Sequence, residues 1–136
     1  MKIYIFLIIS LLVSSCQLDV ADDKSLEKIP IFDIQIPSNF SENTEKSISF
    51  KYGFTNGCFS LYEVETIFLN ENTLVTTVFA KIDYSKVCTQ EYSEQTHTFK
   101  FTPTIAQTYY LKFWIGQNAH GVDQYEEFEL VINNNK

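Results

Sequence analysis

The chain has 136 residues, with ten lysines, no arginine and 17 acids, for a formal charge of −7. Nucleic acid is excluded as a partner on charge, because phosphates are neutralised by clustered Lys and Arg. The absence of arginine also removes the planar fork that grips carboxylates and phosphates in pairs, so the acidity reads as solubility.

Residues 3–13 are almost entirely apolar, preceded by Lys2 and followed by Ser14, Ser15 and Cys16. This is the layout of an export signal, and a run of about 11 residues is too short to span a bilayer, which needs about 20. The small-small-Cys ending resembles the bacterial lipobox, which implies a lipoprotein signal peptide over residues 1–15 and an acylated Cys16 as the first mature residue. Cutting there leaves 136 − 15 = 121 residues, enough for one domain with a real core and too few for two. Loss of Lys2 leaves nine lysines against 17 acids, a mature charge of −8.

Residues 16–28 open with Gln17, Asp19, Asp22 and Asp23 and carry neither helical nor strand periodicity, so they read as an acidic flexible tether. Acids just after a lipidated cysteine resemble the surface-export signal of Bacteroidetes lipoproteins, and Gln17 fits outer-membrane sorting. An acidic body is repelled by anionic lipid, so membrane contact is expected through the acyl chains rather than a basic patch.

The remaining residues, 29–136, read as strands. Residues 31–36 form one, ended by Pro37. Residues 47–54 set Ile48, Phe50, Tyr52 and Phe54 on one face, and Thr55-Asn56-Gly57 then signals a turn, since Asn-Gly accepts positive φ. Residues 58–69 and 73–82, rich in aromatic and β-branched side chains, flank the hairpin signal Asn70-Glu71-Asn72. Residues 96–101 alternate His97, Phe99 and Phe101 on one face before Pro103. Tyr109, Leu111, Phe113 and Ile115 then share a face opposite Tyr110, Lys112 and Trp114, while Phe128, Leu130 and Ile132 oppose Glu127, Glu129 and Val131. About seven short strands and no helix predict an all-β, antiparallel sandwich.

The stretch from Phe99 through Phe101, Thr102, Pro103, Ala106, Thr108 and Tyr109 to Phe113 is similar to the closing motif of bacterial immunoglobulin-like domains. The resemblance implies an immunoglobulin-like β-sandwich in which Tyr109 is a corner tyrosine, its hydroxyl bonded back to the upstream backbone. Gln107 departs from the motif, which has glycine there. With Asn56-Gly57-Cys58-Phe59 and the loop over residues 116–123, the chain resembles small Bacteroidetes surface lipoproteins of unassigned function.

Export places Cys58 and Cys88 in a non-reducing compartment, where an even pair suggests a disulfide; two separate buried thiols are the alternative. No metal site is expected, because no C-x-x-C or H-x-x-x-H spacing is present, and no cofactor is implied.

Catalytic patterns are missing: there is no G-x-S-x-G, no H-E-x-x-H and no phosphate-cradling glycine loop, with four glycines in all. His97 falls in phase with core aromatics. His120 sits in a turn, where Asn118 and Asp123 offer too few acids for a tight calcium site. The pairs Glu63/Glu65 and Glu127/Glu129 lie two apart on strand faces and read as solvating charges. No enzyme is implied. The remaining handle is Tyr110 with Trp114, a candidate stacking platform for a sugar or partner protein unless neighbouring side chains cover it. The expectation is therefore a surface-exposed outer-membrane lipoprotein, a non-catalytic binding or assembly module for a polysaccharide or an envelope protein; the alternatives, in order, are a structural accessory of an envelope complex and a small hydrolase built on the carboxylates.

Overall fold

The computed structural model describes residues 24–133, in which eight strands and no helix build two sheets. The expected signal peptide, Cys16 and the part of the expected tether up to Asp23 lie outside the described residues.

The smaller sheet is centred on β3 (Lys46–Phe54), flanked antiparallel by β2 (Ile31–Gln35) and β6 (Ser93–Phe101). Strict alternation of large apolar with polar residues makes β3 the clearest strand, and it buries Ile48, Phe50, Tyr52 and Phe54 on its inner face. The larger sheet is organised around β5 (Thr73–Asp83). Along one side β5 pairs antiparallel with β4 (Phe59–Phe68). Its other side is shared: β1 (Lys24–Ile29) runs antiparallel along residues 78–83, and β7 (Thr108–Gln117) runs parallel along residues 73–76. β8 (Asp123–Val131) closes the sheet antiparallel to β7.

Pro30 explains how one segment serves both sheets. It has no N–H to give a ladder, so pairing stops there: Ile29 faces Val78 in the larger sheet and Ile31 faces Tyr52 in the smaller. The two sheets share one core, seen in the edge-on contacts of Phe50 with Phe113 at 5.8 Å and of Phe101 with Tyr109 at 5.4 Å.

The all-β class and the two sheets agree with expectation, but three details differ. Residues 24–28, expected to end a tether, lie in strand β1 and pair with β5. The strand order departs from an immunoglobulin constant-type arrangement, where the third strand of the chain joins the sixth antiparallel. Counting β1 and β2 as one broken strand, β7 is the sixth, and its neighbour is β5 in parallel, with β4 displaced outward. Finally, the turn at Asn56-Gly57 uses no positive φ; Asn56 Oδ1 accepts the Cys58 amide at 2.9 Å instead. A Cβ at 57 would lie 2.3 Å from Thr89 Oγ1, so a larger residue there requires the Thr89 hydroxyl to rotate away.

The motif around Tyr109 behaves as a corner. Its ring is buried and its hydroxyl accepts the Ile105 amide at 3.3 Å. Gln107 needs no positive φ there, and its carbonyl accepts the Ile132 amide at 3.1 Å.

Candidate functional site: the outer face of the larger sheet

Every second residue of the larger sheet points away from the core. Register sets these residues in rows across the strands. Glu63, Phe79 and Lys28 form one row, and Ile67, Val75, Lys112 and Glu127 form another. Between them lies a groove of about 430 Å³ with Val75, Thr77 and Phe79 as its floor. Glu65, Ile67 and Leu69 wall it on the β4 side, and Lys28, Lys112 and Tyr125 on the other. A second hollow of about 280 Å³, between residues 37–40 and the end of β8, carries a single charged side chain, Glu129.

Both groove lysines are neutralised in place. Lys28 Nζ lies 2.6 Å from Asp123 Oδ2, and Lys112 Nζ lies 2.7 Å from Glu127 Oε2. The Lys28 hydrogen bond, then the Gln117 amide donating to Oδ1 at 2.9 Å, hold the Asp123 carboxyl down at about 2. Glu65 has no ion-pair partner among the described residues, which leaves the groove with one uncompensated charge, and it is negative. Beside Glu65, β4 pairs among the described residues only with β5, so its outer edge offers backbone groups that no described strand takes up, next to exposed Leu61, Tyr62, Ile67 and Phe68.

The aromatic platform expected at Tyr110 and Trp114 is not present. Tyr110 is half-buried and Trp114 is only 5% exposed. The indole does point outward from the core, but β1 covers it: Lys28 Nζ sits 5.4 Å from the ring centroid, and Leu26 and Gln117 lie alongside. Trp114 Nε1 is buried with no hydrogen-bond partner among the described residues, and the indole helps electrostatically to lower the pKa of Asp123. The cover is hidden in the sequence because residues 24–28 read there as tether. The alternating Leu26, Lys28 and Ser25, Glu27, Ile29 carried that strand's signal, masked by its charges.

Other candidate residues have structural placements. Cys58 and Cys88 are bonded to each other, with Cα atoms 5.0 Å apart. His97 packs on Phe50 at 5.4 Å, and partial burial lowers its pKa. Asn118 Oδ1 accepts the amides of His120 and Val122, at 2.9 and 3.0 Å, so it holds the hairpin loop. Glu63/Glu65 and Glu127/Glu129 all fall on the outer face, at its two edges.

Comparison with known proteins finds no matching family model, curated protein or solved structure.

Proposed function

We propose that this chain is a non-catalytic binding module, held at an outer membrane by acyl chains on Cys16, that takes an extended polypeptide segment of an envelope partner on the outer face of the larger sheet. The observation that carries the reading is the groove: an apolar floor, two lysines already paired with acids, one uncompensated Glu65, and the free β4 edge beside it. An added strand along β4 satisfies that edge and sets alternate side chains on the outer face beside Glu65 and Ile67, the wall of the groove. A basic residue on the added strand is favoured opposite Glu65. A polypeptide fits better than a polysaccharide, because the indole that would stack on a sugar lies under β1.

The reading is tested by affinity capture of the full chain from its own intact cells. The expected result is a stoichiometric partner with wild type and about a tenfold loss of affinity with Glu65→Lys or Ile67→Glu at unchanged melting temperature. A stoichiometric partner retained by both variants would instead favour a structural accessory bound elsewhere.

A further inference from the structure

One end of the molecule, where β1, β4 and β6 begin and β3 and β5 finish, gathers exposed apolar and amphipathic side chains. Leu26, Leu61, Tyr62, Tyr84, Val87 and Tyr92 are all exposed there, and Val87 stands 98% free at the tip of the loop over residues 84–92. The loop is braced as well as exposed. The Cys58–Cys88 bridge ties it to the turn after β3, and the Gly57 amide donates to the Thr89 carbonyl at 3.0 Å. Tyr92 lies over Gly53, and Tyr84 OH reaches Ser25 Oγ at 3.5 Å. Lys81 Nζ rests 5.3 Å from the Tyr62 ring centroid.

The chain enters the fold at this same end, where Lys24 pairs with Asp83 at the finish of β5. Eight residue steps separate Cys16 from Lys24, which reach about 28 Å at full extension. The 11 residues of β5, ten steps, set the opposite end about 34 Å further away. A body standing on a bilayer that holds Cys16 can therefore rest on this end and not on the other. Tyrosine is the residue type suited to such a boundary, with an apolar ring and a polar hydroxyl. Charge gives no reason for attraction here: on the loop, Lys86 is offset by Glu91.

We propose that this end is a membrane-facing surface, in which Val87 and the surrounding tyrosines rest in the lipid headgroup and upper acyl region and fix the orientation of the body. The proposal rests on the acylation of Cys16. It makes the short tether and the braced loop parts of one device, which holds the larger sheet upright and keeps its outer face clear of lipid.

The test uses the full chain with its native N-terminus, reconstituted into phosphatidylethanolamine and phosphatidylglycerol vesicles containing acyl-brominated lipid. Val87→Trp places an indole at the tip, a position exposed enough to leave folding unchanged. Trp114, on the order of 20 Å back along the sheet, serves as the control. The expected result is loss of emission from the indole introduced at position 87, insensitive to salt, with wild-type emission unquenched. Vesicle flotation without quenching at position 87 overturns membrane docking while leaving the anchor intact. Failure to float at all overturns both.

Discussion

Trp114 shows how far a single side chain departs from what alternation suggests. Alternation sets it on the outward face, where it is nonetheless 5% exposed because Lys28 and Leu26 from β1 roof it. Truncation therefore removes a packed ring rather than a binding surface. Trp114→Ala is expected to cost about 2–4 kcal/mol of unfolding free energy by denaturant titration, while partner capture per folded molecule is kept. Asp123 supplies the matching electrostatic prediction. Its folded pKa of about 2 lies below the ordinary 3.8, so its contribution to stability is complete above roughly pH 4. That contribution is lost as the pH falls through about 2. A carboxyl titration by NMR should give a midpoint near 2, and Asp123→Asn should flatten the acid limb of the stability curve between pH 4 and 2. A midpoint near 3.8 would mean that the Lys28–Asp123–Gln117 cluster does not form in solution.

At the level of elements, β3, β6, β7 and β8 are legible because apolar residues alternate along them, β3 most clearly, and β4 and β5 because they are rich in aromatic and β-branched side chains. What alternation could not show is where a strand breaks its own period. β7 does so between Trp114 and Gly116, where a bulge leaves Ile115 40% exposed instead of inward with Phe113. Gly116 takes φ +133, a conformation that side chains rarely adopt, although open space surrounds its missing Cβ. The cost of a side chain there is backbone strain, not collision. Gly116→Ala is expected to destabilise the domain by about 1–2 kcal/mol in thermal unfolding, with the loss concentrated in the β7–β8 hairpin by hydrogen exchange. An unchanged stability would mean that the bulge relaxes at no cost. β1 was illegible for a different reason. Three of its six residues are charged, so it resembles solvated chain, and only the tertiary pairing to β5 makes it a strand.

Across the whole molecule, local pattern carried the class and the inner faces but not the neighbours of each strand. Nothing local distinguishes β4 from β5 as the partner of β7, since both are β-branched and aromatic; the parallel β5–β7 pair is a long-range choice. The candidate site depends on that choice, because it moves β4 to the edge and brings Glu65, Val75 and Lys112 onto one surface. The disulfide pair was readable from the cysteine count together with the expected export, while the groove was not, since its lining comes from five strands. On the two proposals, the braced end orients the body and the grooved face takes the partner.

The central claim, that the β4 side of the larger sheet receives a polypeptide strand, is tested most directly by site-specific photo-crosslinking in the native cells. A photoreactive phenylalanine is placed at position 67 and, as a control, at position 105, exposed in the loop before β7 at the end away from Lys24. The expected result is one discrete protein adduct at position 67 and none at 105. Absence of an adduct at 67, or an equal adduct at 105, would contradict the account.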